Sequence, residues 1–332
     1  MVRHVRTIDA HAAGEPLRLI VDGFPAPSGR TMLEKRNWVQ QKHDQLRRAL
    51  MLEPRGHRDM CGAVLTEPVS AGSPAGVLFM NTEEYDVLPG HGIIALTTIA
   101  LERGLLMPGG TGASIVYDTP AGVVRASAHV GPSGRVTSVK FANVPSFVLA
   151  GGLAVGYGAK KIQVDVAFAG SFFAIVDSEA VGLPLDAAHL PELRRAGAQI
   201  ARAIDGAHTI SHPLESELTG ISGTIFTAPA HDAHADLRNV TVFADMQIDR
   251  SPCATGTAAV MAVLDAMGLL DSDRTFVHES LIGTRLTGKL VGRTQVADFP
   301  AVVAELEGSA WITGEHTFLI DDDDPLRSGF RV

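Results

Sequence analysis

The chain has 332 residues, 45% hydrophobic and 20% charged, enough to bury two cores without help from disulfides. Its formal charge of −9 leaves no basic surplus to neutralise phosphates, which excludes nucleic acid as a partner and gives no reason to expect a membrane surface. With two cysteines, no signal-peptide core and no charge-free apolar run of spanning length, the expected setting is reduced and cytoplasmic.

In chain order, RLIVDGF (18–24) predicts a strand and TMLEKRNWVQQKHDQLRRALML (31–52) a helix with charges between its apolar positions. A helix opens at 91, and strands follow at SIVYD (114–118), GVVRASAHV (122–130), VTSVKFANV (136–144) and FFAIVDS (172–178). LPELRRAGAQIARAI (190–204) predicts another helix, with Pro191 near its first turn. NVTVFAD (239–245) reads as a strand, a helix opens at 255, and AWITGEHTFLI (310–320) is the last strand. Strands and helices do not alternate regularly, so an α+β architecture with mainly antiparallel strands is expected rather than a doubly wound sheet. The acidic run at 321–324 reads as a solvated turn, with a cation site as the alternative.

Two segments repeat. LPGHGIIALTTIALERGLL and PCATGTAAVMAVLDAMGLL align at a constant offset of 164 (253 − 89), pairing Gly92 with Gly256, Ala95 with Ala259 and Gly104 with Gly268. Both open with small residues, are apolar nearly all round and stop at Gly-Leu-Leu, which predicts two buried helices with left-handed C-caps. HAAGEPLRLIV and VAFAGSFFAIV form a weaker echo. The repeat predicts two like halves with a boundary near the Gly-rich stretch at 150–160; chance similarity of two Ala/Gly-rich helices is the alternative.

A helix N-terminus offers unpaired N–H groups and a positive dipole end. Small residues such as Gly90, Ala254 and Gly256 let a carboxylate approach that backbone. Cys253, at the second entrance, is expected to gain thiolate character there and to act as a base on a carbon acid. The alternative is a buried structural cysteine.

These residues resemble a known family nearly end to end. IDAHAAGEPLRLIV, EPRGHRDMCGAV, HADLRN, DRSPCATGTAAV and DPLRSGF are similar to segments of the proline racemase family, which includes 4-hydroxyproline 2-epimerases and trans-3-hydroxyproline dehydratases. The resemblance implies a diaminopimelate epimerase-like α+β fold, with two pseudo-symmetric domains of strands around a central buried helix. Expected domain ranges are 1–155 and 156–315, with the tail at 316–332 packing back on the first. It implies an interdomain cleft for a small cyclic amino acid, proline or hydroxyproline in type, with no cofactor and no metal. By the resemblance Cys253 is the second catalytic thiol and Asp249 contacts the substrate amine. Ala254 (Gly in the family) and Thr255 supply N–H donors for the carboxylate, as do Gly90 and His91. A monomer or a homodimer is expected.

The first family motif departs. Where the family carries Cys, or Ser in some members, this chain reads LPGH, and Pro89 takes the place of the first base. Proline cannot move a proton, so normal two-base racemase and epimerase activity is expected to be absent. Cys61 and His91 are the candidates for a substitute base, with structural roles as the alternative for each. Cys253 alone could act from one face, as a hydroxyproline dehydratase or a divergent epimerase would; a non-catalytic amino-acid binder is the remaining option. The family's dehydratases, however, mostly keep the first thiol and replace the second. The histidine pairs His208/His212 and His231/His234 have helical metal-ligand spacing but no HExxH context, and read as structural.

Overall fold

A computed structural model describes residues 1–85, 89–107, 113–271 and 273–331; Leu88 of the LPGH segment lies outside them. The chain forms two units, Met1–Phe141 with Gly308–Val332, and Ala142–Glu307. No helix among the described residues is long and apolar enough to cross a membrane.

The first unit runs β1 (Val2–Ala12), β2 (Glu15–Asp22), α1 (Met32–Met51), β3 (Cys61–Thr66), β4 (Ala75–Asn81), α2 (Gly90–Glu102), β5 (Ser114–Thr119), β6 (Gly122–Val130) and β7 (Val136–Ala142). The second runs β8 (Ser146–Tyr157), β9 (Lys160–Phe168), β10 (Phe172–Asp177), α3 (Ser178–Val181), α4 (Leu190–Ala207), β11 (Ile221–Ala228), β12 (Leu237–Phe243), β13 (Ile248–Asp249), α5 (Ala254–Ala266), β14 (Phe276–Ser280), β15 (Arg285–Val296) and β16 (Phe299–Gly308). The last strand, β17 (Ala310–Asp321), returns to the first unit.

Strand pairing repeats between the units. In the first, β2 is antiparallel to β1 and parallel to β3, β3 is antiparallel to β4, β4 is parallel to β5, and β5 is antiparallel to β6. In the second, β10, β11, β12, β14 and β15 follow β9 in the same sequence of directions. Helices α1 and α4 join corresponding parallel strands, as do α2 and α5. The parallel pairs need such crossovers, because a tight hairpin can only reverse the chain. The repeat in the sequence is thus matched by a repeat of topology.

Helices α2 and α5 each span 13 residues and are buried from their first residue through Ala100 and Val263 respectively. Gly104 (φ 63°) and Gly268 (φ 70°) follow in the left-handed region, where a missing Cβ avoids the steric cost. Leu105 N–H then returns to Ala100 C=O at 2.9 Å, and Leu269 N–H to Leu264 C=O at 2.8 Å, as a Schellman cap requires. Helix α1 starts where Thr31 caps Glu34 N–H, and it kinks at His43. On α4, Leu193, Ala196, Ile200 and Ile204 recur at helical spacing and join Phe226, Val240 and Val242 in one core. In the first unit Val39, Leu46 and Leu50 of α1 join Ile20, Val64 and Leu78 of the sheet. Full burial of each such side chain contributes roughly 1.5–3 kcal/mol.

The domain boundaries fall elsewhere than at 155 and 315. The Gly-rich stretch expected to be a linker is β8, bound along β9 from Phe147↔Phe168 to Tyr157↔Lys160. Its register shifts around Ala150, and Gly152 N–H finds the Asp165 carboxylate at 2.8 Å, so the glycines serve bulges. The division therefore comes at Phe141/Ala142. At the other end β17 pairs with β1 over its whole length, from Ala310↔Ala12 to Asp321↔Val2, which moves the return point to Gly308. The acidic tail is tied locally: Asp322 meets the N-terminal ammonium, and Asp324 meets Arg55 and caps Leu326 N–H.

Candidate functional site

The α5 entrance is built around an uncommon backbone. Cys253 is the N-cap residue at φ 58°, ψ 103°, outside the regions that side-chain-bearing residues favour. Its sulfur accepts from Gly256 N–H at 3.3 Å and lies 3.7 Å from Thr255 Oγ1. A Cβ on Gly256 would sit 3.0 Å from that sulfur and 3.0 Å from Ile225 Cδ1, so the close approach of thiol to backbone needs glycine. The thiol is almost completely buried.

A short chain of hydrogen bonds leads to it. Asp249, buried on β13, accepts through Oδ1 from Ser251 N–H (2.8 Å) and Ser251 Oγ–H (2.6 Å). Ser251 Oγ in turn accepts from Cys253 N–H at 3.1 Å. Ala254 and Thr255 hold the first two helical positions, whose N–H groups have no intrahelical acceptor.

The helix end, expected to make Cys253 a ready thiolate, is opposed by burial. Burial pushes the thiol well above its ordinary range, and the Asp249 charge pushes the same way. The Gly256 N–H and the Thr255 hydroxyl pull down but do not prevail, because removing a thiolate from water costs more than they return.

The α2 entrance offers no such group. Pro89 is the N-cap at φ −78°, ψ 115°, with no side-chain cap, and only its carbonyl takes part, accepting from Ile93 N–H at 3.3 Å. Gly90 and His91 are the first two residues of α2, and both are buried. Of the two candidates for a substitute base, Cys61 is buried at the start of β3, opposite Asn81, and His91 is 8% exposed.

The proline racemase family model matches residues 7–331. The chain belongs to the proline racemase family. It is 44% identical over 326 residues to a trans-3-hydroxy-L-proline dehydratase from Bacillus cereus, covering 98% of this chain and 97% of that one. It is 38% identical over 330 residues to a proline racemase from Clostridioides difficile, covering 99% and 98%. Its fold superimposes with a TM-score of 0.90 on a hydroxyproline epimerase from Agrobacterium vitis with bound trans-4-hydroxy-L-proline, at 28% identity over 99% of this chain and 95% of that chain.

Several proline racemase family motifs serve the scaffold here. Asp9, in the opening motif, is held by Arg18 at 2.8 Å and by Thr7 Oγ–H at 3.0 Å. Arg18 also donates to Leu50 C=O (2.7 Å) and Arg55 C=O (2.6 Å), which ties that motif to the EPRGH segment. Phe330 N–H donates to Glu53 C=O at 2.9 Å, adding the closing DPLRSGF segment. These hydrogen bonds tie the three segments together within the first unit.

The sequence reading missed the polar cluster behind Cys253. Asn239 Nδ2 donates to Pro252 C=O at 2.8 Å, and Thr257 Oγ1 lies 3.2 Å from the same oxygen. His278, fully buried on β14, has its Nδ1 2.9 Å from Thr257 Oγ1. Asn239 and Thr257 stood inside the matched motifs and were available to the reading. A lone histidine in the short segment FVHES gave no signal.

The histidine pairs have other tasks. His208 caps the C-terminus of α4, and His212 lies beyond it with its ring on Phe168, so the two do not share a helix face. His231 Nε2 meets Arg238, while His234 donates its backbone N–H to Asp232. Among the described residues no group of three or more His, Cys, Asp or Glu is placed to hold a metal.

Proposed function

We propose that this protein binds a small cyclic amino acid of the proline or hydroxyproline type and lacks the two-base inversion that makes a proline racemase or 4-hydroxyproline 2-epimerase. The observation that carries the reading is the pair of helix entrances: a thiol at Cys253, a proline at the equivalent Pro89. In this proposal the fold is diaminopimelate epimerase-like. The backbone N–H groups of Ala254 and Thr255 hold the carboxylate. Both Ser251 bonds fall on Asp249 Oδ1, and the ligand ammonium is assigned to Oδ2. Cys253 is the proton-transfer group. A thiolate formed from so weak an acid is a strong base, suited to a carbon acid whose developing charge is stabilised. Incubation with L-proline and trans-4-hydroxy-L-proline, followed by optical rotation and thermal melting, tests the reading. A rise in Tm without inversion is expected; inversion of either compound would refute it.

A second reading is favoured by the 44% identical relative named as a trans-3-hydroxy-L-proline dehydratase. One base suffices for that reaction. The thiolate takes the Cα proton, the electron pair forms the Cα–C3 double bond, and the C3–O bond breaks; the thiol gives that proton to the departing hydroxide, which leaves as water, and the thiolate is restored. Mass spectrometry of trans-3-hydroxy-L-proline after incubation would register loss of one water under this reading and an unchanged ligand under the first.

A further inference from the structure

We propose that His278 is a positioning residue for Cys253, acting through Thr257 and the Pro252 carbonyl to hold the thiol in its uncommon backbone geometry. The proposal goes beyond the reading of Cys253 as a base and borrows from it only the catalytic consequence.

The peptide between Pro252 and Cys253 is gripped on both edges. Its carbonyl faces Asn239 Nδ2 at 2.8 Å and Thr257 Oγ1 at 3.2 Å. Its N–H donates to Ser251 Oγ at 3.1 Å. The carbonyl of Cys253 then accepts from Thr257 N–H at 2.7 Å, which starts the helix. With both adjoining peptide planes fixed, φ of Cys253 has no freedom to leave 58°. A strained residue persists only where its surroundings over-determine it in this way.

His278 orders the grip. The Pro252 oxygen fixes which end of the Asn239 amide carries the nitrogen, because the amide oxygen would be repelled there. That nitrogen lies 3.3 Å from His278 Nδ1, farther than the 2.9 Å that separates Nδ1 from Thr257 Oγ1, so the shorter contact sets the tautomer. The Thr257 hydroxyl has one proton, which it donates to the Pro252 carbonyl at 3.2 Å, so its oxygen accepts from His278 Nδ1–H at 2.9 Å, and the ring sets its rotamer beside that carbonyl. Parallel pairing of β12 with β14, Leu237↔His278 and Asn239↔Ser280, brings the ring to the amide.

Packing alone does not explain a histidine here. The side chain is fully buried, and its Nε2 has no hydrogen-bond partner among the described residues. An unpaired buried acceptor is costly, so an aromatic hydrocarbon would serve a purely structural role better. Only Nδ1 repays the placement.

The test reads thiol chemistry, independent of any turnover. Methyl methanethiosulfonate modification of Cys253 is followed by mass spectrometry against pH in the full chain. The His278→Leu variant is expected to free the loop, solvate the thiol and lower its apparent pKa towards the ordinary value. Modification at pH 8 then becomes about tenfold faster, the change that one pKa unit brings. The His278→Asn variant keeps a polar atom near Nδ1 and is expected to stay within about twofold of the parent, by the same relation. A folded His278→Leu protein with the parent profile would overturn the proposal, as would equal shifts in both variants. Should His278→Leu not fold, the near-isosteric Thr257→Val variant cuts the same link, and an unshifted profile there would overturn it equally.

Discussion

Pro89 and Cys253 hold the same place in the two halves of the chain, each the N-cap of a buried 13-residue helix, 164 positions apart (253 − 89). The backbone differs as the chemistry does: φ is −78° at the proline and 58° at the cysteine. An unstrained residue without a proton sits at one entrance, and a strained residue with one sits at the other.

If the missing thiol alone prevents inversion, restoring it should restore inversion. Pro89→Cys is expected to invert L-proline or trans-4-hydroxy-L-proline measurably where the parent does not. A placed general acid or base contributes about a hundred- to ten-thousand-fold, so even a poorly placed thiol should raise the rate about tenfold over background. Chiral chromatography of the product reads this directly. Pro89→Cys combined with Cys253→Ser should lose the gain.

Gly256 tests the packing beneath the thiol. A methyl group there meets both the sulfur and Ile225 at 3.0 Å. Gly256→Ala is expected to destabilise the protein by about 1–3 kcal/mol, typical of overpacking, and to displace the thiol from its N–H donor. Urea unfolding measures the first effect. Slower Cα exchange with a bound amino acid measures the second.

The thiol itself has a predictable pH dependence. Burial and Asp249 raise its pKa, so the thiolate fraction at neutral pH is smaller than for an exposed cysteine and grows only in the alkaline range. Iodoacetamide modification of Cys253 should therefore be slow at pH 7 and climb past pH 9 without a plateau near the usual thiol pKa of about 8.5. A Cys61→Ala background removes the other thiol. An Asp249→Asn substitution, which deletes the like charge, should move the rise to lower pH.

His278 gives acid sensitivity. Burial lowers its pKa from the ordinary 6.5 to about 3, so the native state holds the ring neutral while the unfolded chain takes up a proton below 6.5. The group's stability contribution is full above 6.5 and is lost as the pH falls towards 3. Within that window the slope attributable to it approaches about 1.4 kcal/mol per pH unit, the value for one proton. Urea titrations of the parent and His278→Asn across pH 7 to 4 should show the variant losing less stability on acidification. Equal slopes would mean that the ring is not held neutral.

Much of this was legible in the chain. The Gly-Leu-Leu stops and small-residue starts predicted α2 and α5 because cap geometry is local and restricts residue type. Strands such as β8 and β9 were missed: β8 carries glycines at its bulges, which break its alternation, whereas β9 alternates Ile162, Val164 and Val166 with Gln163 and Asp165 and was readable. The domain boundary suffered from the same glycines. At the candidate site, Cys253 and Asp249 were readable from the motif. The raised thiol pKa was not, because it depends on how deeply tertiary packing buries the sulfur rather than on the helix end beside it. His278 was invisible for a related reason: its partner Thr257 lies 21 residues away, and only the parallel pairing of β14 with β12 brings the ring to the Pro252 loop.

The central claim is one-faced proton chemistry at Cys253. It is tested most directly by incubating the protein in heavy water with L-proline, trans-4-hydroxy-L-proline and trans-3-hydroxy-L-proline, and following deuterium at Cα together with configuration. The account predicts that any deuterium incorporated appears with retained configuration and disappears in Cys253→Ser. Deuterium accumulating in the inverted isomer would contradict it, because a second group would then be delivering a proton from the opposite face.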